Sequence, residues 1–290
     1  MKISGFTIIK NAVINDYPVL EAITSILPVV DEMIVLAGDS SDATRQLIQS
    51  INSNKIKIVD SVWDQSLRRG GKVLAVETDK AFQLIDKEST WAFYIQADEA
   101  VHEKYLPAIV KNCEKYKDDL QVEGLLFNYL HFYGTYDYVG DSRQWYNKEV
   151  RIIRNDKSIR AYKDAQGFRK GNAKLKVKPA EAYMYHYGWV KSPAQMKKKM
   201  KEVSRYWHDE SDNWKDYMNS KEFFNFEEFD SLEKFTGTHP AVLQKRIHEQ
   251  NWNVNFDLSK KRFSFKDKLL YWFEKKTGIR LFDFKNYKII

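Results

Sequence analysis

Two stretches among the first hundred residues end in carboxylates, side chains that are able to hold a cation or a nucleotide. Asp98 and Glu99 close the apolar and aromatic run 91–97, and Asp39 follows the apolar run 33–36. A short apolar run bounded by polar residues is typical of a buried strand. Ligands of open α/β sheets bind at the carboxyl ends of the strands, and carboxylate oxygens suit divalent cations. These residues predict a binding edge; the alternative is that they cap the helices that follow.

The elements that must position these carboxylates alternate along the chain. Apolar runs at residues 5–9, 33–36, 56–59 and 91–95 are separated by apolar stripes of helical spacing within residues 16–27, 44–51 and 74–85. Such alternation predicts a parallel sheet with right-handed crossovers. Neither a glycine-rich dinucleotide fingerprint nor a P-loop follows the first run. A nucleotide held by carboxylates and a metal therefore fits better than one held by glycine amides.

The second half of the chain is less periodic. Residues 109–116 indicate a helix, and residues 122–133, 149–154 and 182–190 indicate strands. Ser192 and Pro193 form a favourable helix start. Residues 209–238 are acidic, aromatic and poorly periodic, which predicts a lid or an extension. We expect a first domain over residues 1–205 and a helical extension over residues 206–290.

Composition limits the function classes. The 290 residues carry a net charge of +7 and one cysteine, Cys113, which excludes an internal disulfide and a cysteine-based zinc cluster. Cys113 is expected to be a packing residue. A run of about 18 apolar residues and a signal-peptide pattern are both absent, so we expect a cytoplasmic protein. Lysines are dispersed among acidic residues, which disfavours nucleic acid as a partner.

Four short motifs follow one another along roughly the first 200 residues: Thr7-Ile8-Ile9-Lys10-Asn11, Asp39-Ser40-Ser41-Asp42-Ala43-Thr44, Gln96-Ala97-Asp98-Glu99 and Tyr185-His186-Tyr187-Gly188-Trp189. Together they resemble the motifs of the GT-A-fold glycosyltransferases of the large family 2 type. Each is weak alone, but their order and spacing match the family. The resemblance implies an α/β protein of GT-A fold. Its central sheet would be Rossmann-like, mostly parallel and flanked by helices, with a mainly helical C-terminal extension.

The resemblance implies a metal site with one departure from the family. Asp98 matches the last acidic position of the family's Asp-x-Asp motif, and His186 matches its later metal-binding histidine. Gln96 stands at the first acidic position; its amide can hydrogen-bond a ribose or a metal-bound water but carries no charge. We expect Mg²⁺ or Mn²⁺ on Asp98 and His186, and the alternative for His186 is a hydrogen-bonded core histidine.

The same resemblance assigns a nucleotide-sugar pocket. Lys10 and Asn11 would line it from the first strand, Asp39 would accept hydrogen bonds from the base or ribose, and Gln96 and Asp98 would complete it. Two weaker members are Arg69, in a basic loop with two glycines that can approach phosphate, and Asp79. The alternatives are a helix cap for Asp39 and a solvated turn for the basic loop.

An inverting transferase needs a carboxylate that deprotonates the acceptor hydroxyl. Asp164 is the first candidate, because its loop after the 149–154 strand resembles the family's base-bearing loop. Glu149 is the second candidate, although it can instead pair with Arg151 or another basic residue. Asp141 is a remaining choice.

The sequence therefore predicts an inverting, metal-assisted hexosyl- or related transferase in surface-glycan or lipopolysaccharide-type assembly. Its partners would be a nucleoside-diphosphate sugar and a glycan or lipid-linked acceptor. Residues 263–290 interleave lysines with apolar residues and predict an amphipathic helix, either on an anionic bilayer or packed on the domain. Two alternative functions remain: a degenerate nucleotide- or glycan-binding protein of this fold, and a nucleotidyltransferase. The latter lacks its expected glycine- and lysine-rich signature after the first strand.

Overall fold

The first hundred residues form the predicted parallel half of a sheet. The computed structural model describes residues 1–67, 69–207, 224–227 and 229–290. Four strands lie in the order β3-β2-β1-β4 with parallel neighbours, and three helices connect them. These elements are β1 (Ile3–Ile9), α1 (Val19–Ile26), β2 (Glu32–Ala37), α2 (Thr44–Gln49), β3 (Ile56–Asp60), α3 (Lys72–Gln83) and β4 (Trp91–Tyr94). The strand order reverses between β1 and β4, which is where Rossmann-like sheets bind ligands.

The second half makes the sheet mixed. Strand β8 lies between β4 and β6 and is antiparallel to both, whereas β6 and β11 are parallel. A hairpin of β9 and β10 extends the far edge. The bounds are β5 (Glu99–Val101), α4 (Leu106–Tyr116), β6 (Gly124–Gly134), β7 (Tyr138–Gly140), β8 (Lys148–Arg154), β9 (Ile159–Tyr162), β10 (Gly167–Lys170) and β11 (Ala173–Val190). The predicted α/β class, with a Rossmann-like sheet flanked by helices, is confirmed.

Helices pack on both faces of the sheet because successive strand side chains point to opposite sides. Ile3 and Ile9 of β1 join a core that includes Ile23 of α1 and Cys113 of α4. Phe6 of the same strand joins a second core with Phe82 and Val73 of α3. Burial raises the pKa of the Cys113 thiol to about 12. The thiol is therefore protonated at neutral pH, in agreement with the expected packing role.

The C-terminal part returns to the sheet. Helix α5 (Pro193–Val203) begins as predicted, with the Ser192 hydroxyl accepting from the backbone N–H of Gln195. Beyond α5, the described residues include β12 (Leu232–Lys234), α6 (Gln244–His248), α7 (Phe265–Thr277) and β13 (Tyr287–Ile289). Strand β12 pairs with β7, and β13 pairs with β11. The helix expected over residues 263–290 thus covers less than half of that range and ends at Gly278, whose φ of 70° is left-handed.

Residues 209–223 and 228 of the predicted lid lie outside the described part of the chain. The described residues of that segment include Phe226 and Leu232, which pack against Tyr133 and Met196. Within the described part of the chain, no helix is both long and apolar enough to cross a bilayer.

Candidate functional site

A cleft of about 800 Å³ opens beyond the carboxyl ends of β1 and β4, where the strand order reverses. Strands contribute one wall, and α5 with the turn up to Trp207 contributes another. The following predicted site residues line this cleft: Lys10, Gln96, Asp98, Glu149, Asp164 and His186. Residues from four separate regions of the sequence therefore converge on one cavity.

The turn that carries Asp98 is fixed from behind by a buried ion pair. Arg151 of β8 and Glu99 are both fully buried, and their side chains approach to 2.8 Å. The Glu99 carboxylate also accepts from the Tyr129 hydroxyl at 2.7 Å and from the backbone N–H of Gln96 at 3.0 Å. Of the two adjacent carboxylates, Glu99 thus points into the protein, and Asp98 is left to face the cleft.

Asp98 lies beside Lys199, a cation that belongs to none of the four sequence motifs. The Lys199 ammonium lies 3.2 Å from Oδ2 of Asp98 and donates to the Gly188 carbonyl at 2.8 Å. Burial alone would raise the pKa of the Asp98 carboxyl, but Lys199 and His186 together hold that pKa lower, at about 2. Asp98 is therefore ionised at any physiological pH.

A second histidine sets the orientation of protons on His186. Nε2 of His131 lies 2.8 Å from the Tyr146 carbonyl, which only accepts, so this nitrogen carries the proton. Burial lowers the pKa values of both histidines, so each is neutral. Nδ1 of His131 then accepts from Nδ1 of His186 at 3.3 Å. Nε2 of His186 is left with a bare lone pair, 3.7 Å from Oδ1 of Asp98.

The donor set fits a divalent cation. Oδ1 of Asp98 and Nε2 of His186 are two acceptors with no proton between them, and both belong to the cleft lining. Mg²⁺ is commonly held by one or two protein groups together with substrate phosphates. Among the described residues no group of three or more His, Cys, Asp or Glu side chains forms a metal cage. A cation here would thus depend on ligand oxygens. The amide nitrogen of Gln96 donates to the Ala165 carbonyl at 3.3 Å.

Asp39 and Asn11 connect the loops next to Lys10, which lines the cleft. Oδ1 of Asp39 accepts from the Lys10 ammonium at 2.7 Å and from the backbone N–H of Trp63 at 3.0 Å. Asn11 accepts from the backbone N–H of Ser41 at 2.9 Å. The cap at the start of α2 comes from Asp42, which accepts from the backbone N–H of Thr44. Lys10, Asn11 and Trp63 also line a smaller neighbouring pocket of about 80 Å³.

Of the predicted binding residues whose side chains are described, Asn11, Asp39 and Asp79 are not part of the cleft lining. Asp79 of α3 accepts from the backbone N–H of Ala161 at 2.8 Å, so it fixes the β9 strand. The Arg69 side chain lies outside the described part of the structure. Its turn, Arg69–Gly71, packs closely against the segment that carries Asp164: a Cβ on Gly71 would lie 2.6 Å from the Cβ of Asp164. Only glycine fits there.

Two of the three base candidates face the cleft. Glu149 is almost fully buried, and Oε2 has no hydrogen-bond partner among the described residues. It does not pair with Arg151, whose guanidinium is committed to Glu99. Burial raises the pKa of Glu149 to about 7. Asp141 is instead enclosed by the hydroxyls of Ser231 and Tyr271 and by Lys261, and it is not part of the cleft lining.

Asp164 occupies the tip of the β9–β10 hairpin. Both of its neighbours, Lys163 and Ala165, have left-handed backbone conformations with φ of 57° and 63°. Such conformations are unfavourable for non-glycine residues and concentrate at functional sites. The hairpin is fixed by Gln96 at Ala165 and by Arg151, which donates to the Gln166 carbonyl at 2.7 Å.

Replacing Glu99 by Gln should destabilise the protein, because the Arg151 guanidinium would remain buried without its counter-charge. The expected loss is about 3 kcal/mol in the free energy of unfolding, measured by urea denaturation. Glu88→Gln, an exposed carboxylate, is the matched control and should change stability by less than about 0.5 kcal/mol. The double variant Glu99→Leu/Arg151→Met should recover much of the loss. Equal stability of Glu99→Gln and the control would contradict the role of the pair.

Comparisons with known proteins give matches only at the level of structure. No family model matches the chain, and no curated protein matches it. The chain is similar to the crystal structure of S. aureus TarS 1-349 in complex with UDP-GlcNAc, with 16% identity over 70% of this chain and 65% of that one, and a TM-score of 0.40. It is also similar to glucosyl-3-phosphoglycerate synthase from Mycobacterium tuberculosis in complex with Mn²⁺, UDP and phosphoglyceric acid. That match has 20% identity over 45% of this chain and 43% of the other, and a TM-score of 0.30. The chain thus covers less than two thirds of either structure.

Proposed function

We propose that this chain is a glycosyltransferase that moves a sugar from a nucleoside diphosphate to an acceptor hydroxyl, with inversion and with the help of a divalent cation. The observation that carries the proposal is the convergence of Asp98 and His186. Oδ1 of Asp98 and Nε2 of His186 carry no proton and lie 3.7 Å apart, and both residues line the cleft at the point where the strand order reverses. Asp164 lines the same cleft. The four sequence motifs that resemble family 2 transferases contribute most of these groups.

The charge of the departing nucleoside diphosphate must be neutralised as the sugar leaves. A bound Mg²⁺ or Mn²⁺ would supply Lewis-acid stabilisation of the diphosphate oxygens. Asp98 and His186 would hold that ion, and the Lys199 ammonium would place a second positive charge beside it. Lys10, Asn11, Asp39, Arg69, Asp79 and Gln96 keep their predicted assignment to the nucleotide-sugar site, Asp79 through the strand that it fixes.

Glu149 is the better-supported base for the acceptor hydroxyl. Glu149 lines the cleft, its buried Oε2 has no hydrogen-bond partner among the described residues, and a pKa of about 7 lets the carboxyl accept a proton at neutral pH and return it afterwards. Gly167 leaves the space for it, because a Cβ there would lie 2.3 Å from Oε2 of Glu149. Asp164 is the second candidate, and its constrained hairpin tip supports it.

The acceptor would be a glycan or lipid-linked hydroxyl in surface-glycan or lipopolysaccharide-type assembly. The cleft has a volume of about 800 Å³, and aromatic side chains such as Tyr146, Trp189 and Trp207 line it. Flat aromatic faces of this kind suit the apolar faces of sugar rings.

Nucleotide binding is tested first by thermal stability with a panel of nucleoside diphosphates, each with and without Mn²⁺. One nucleotide should stabilise the protein by about 2.7 kcal/mol at a hundredfold excess over its dissociation constant. Asp98→Ala should lose the Mn²⁺-dependent part of the shift. Asp118→Ala removes an exposed carboxylate after α4 and should keep it. A panel without any stabilising nucleotide would refute the transferase and its degenerate relative alike.

The pH dependence of transfer tests the base. Glu149 is protonated below its pKa of about 7 and cannot accept a proton there. The value of kcat/KM should therefore rise about tenfold per pH unit below pH 7 and level off above it. Glu149→Gln should lower kcat by at least about a hundredfold and abolish this rise, with nucleotide binding unchanged. If Asp164→Asn has these effects and Glu149→Gln does not, the base is Asp164.

A further inference from the structure

Polar side chains hold helix α7 against the protein. Tyr271 donates to Asp141 at 2.5 Å, Glu274 accepts from Arg143 at 2.8 Å, and Lys275 lies 3.0 Å from Glu233. Leu270 and Phe273 are half-buried, whereas the other apolar side chains of the helix are exposed. An ordinary surface helix instead turns its apolar stripe toward the core.

The outward side of α7 is an apolar stripe. Phe265, Leu269 and Trp272 stand at positions i, i+4 and i+7, which share one helix face. Their exposed fractions are 87%, 57% and 56%. Exposed apolar side chains that occur singly are ordinary, but a contiguous group indicates an interaction surface.

The loop after α7 continues this apolar surface. Ile279 is 56% exposed, Phe282 is 86% exposed and Phe284 is 65% exposed. The loop is held at both ends and in the middle. Strand β13 pairs with β11, and Arg280 donates to the carbonyls of Arg143 and Trp145 at 2.7 and 2.8 Å. Its aromatic side chains are therefore presented on a fixed support.

Lysines surround the apolar side chains. Lys266, Lys268, Lys276 and Lys285 are exposed and have no ion-pair partner among the described residues. Residues 259–290 hold ten Lys and Arg against three Asp and Glu. Their net charge of +7 equals that of the whole chain, since the first 258 residues hold 37 charges of each sign. The positive charge excess of the protein thus resides in this segment.

We infer that α7 and the loop to Phe284 form a docking surface for an anionic lipid bilayer. Aromatic and leucine side chains of the exposed face would insert at the boundary between headgroups and acyl chains, and the lysines would meet anionic headgroups. A second protein would not require a one-sign lysine rim around an apolar centre. The bilayer satisfies both features at once.

This surface is continuous with the candidate active site. Asp283 and Phe284 line the cleft, and the ammonium groups of Lys163 and Lys174 lie 5.3 and 5.7 Å from the Phe284 ring. In the docked protein the mouth of the cleft would therefore face the bilayer, where a lipid-linked acceptor lies. This second step rests on the proposed transferase function, whereas bilayer binding itself does not.

Flotation with phosphatidylcholine vesicles, with and without phosphatidylglycerol, tests the docking surface on the full chain. Wild-type protein should float with the anionic vesicles, and raised salt should weaken the association. The triple variant Phe265→Ser/Trp272→Ser/Phe282→Ser should reduce vesicle affinity by at least about tenfold, and so should Lys266→Glu/Lys268→Glu/Lys276→Glu. Leu120→Ser is the matched control, since Leu120 is 80% exposed and lies outside this surface.

Each variant must keep the wild-type melting temperature and its nucleotide-induced shift, which separates loss of docking from loss of fold or of donor binding. Wild-type protein that stays with the soluble fraction, or variants that float as wild type does, would overturn the inference. A wild-type dimer in sedimentation that the triple variant dissociates, with no vesicle binding, would assign the surface to a second copy of the chain instead.

Discussion

The arrangement of the cleft depends on one buried ion pair, that of Glu99 and Arg151. Arg151 reaches Glu99 at the start of β5 and the Gln166 carbonyl in the β9–β10 hairpin from a single position in β8. The turn that carries Asp98 and the hairpin that carries Asp164 are thereby held to one another. Burying two charges is costly, and such a pair contributes more to a unique arrangement than to net stability. Here it orients a turn in which one carboxylate faces inward and its neighbour faces the ligand.

Burial acts in opposite directions on the groups around this pair. It keeps His131 and His186 neutral and holds a proton on Glu149 near neutral pH. Asp98 stays ionised because a lysine lies beside it. The cleft lining thus includes the ionised carboxylate of Asp98, the lone pair of a neutral His186 and the Glu149 carboxyl, which changes state near pH 7. The protonation states of Asp98 and Glu149 differ because their surroundings differ, although both side chains are carboxyl groups.

The sequence was sufficient where local pattern determines the structure. Strand–helix alternation predicted the parallel half, and the acidic strand ends predicted the position of Asp98. It could not distinguish the roles of Asp98 and Glu99, because Arg151 is 52 residues away along the chain. The β9–β10 hairpin was missed because Lys163 and Ala165 adopt left-handed conformations without the glycine or asparagine that normally marks them.

Lys199 illustrates a similar limit of sequence patterns. It belongs to the lysine-rich helix α5, and it shares a cleft-lining face with Met196 and Met200. Its ammonium lies 3.2 Å from Oδ2 of Asp98, which is 101 positions earlier in the sequence. Only the packing of α5 across the end of the sheet brings these residues together. Asp39 was placed correctly at its strand end, but its contacts are with Lys10 and Trp63, so it connects loops and does not cap α2.

The uneven distribution of charge has a consequence for how this molecule approaches other bodies. With 258 residues in exact balance and the excess confined to the last 32, the chain resembles an electric dipole more than a uniformly positive sphere. Within about 10 Å of a negatively charged surface at moderate salt, the field exerts a torque as well as an attraction. The field therefore orients the molecule before contact, and in most encounters the positively charged C-terminal segment meets the surface first.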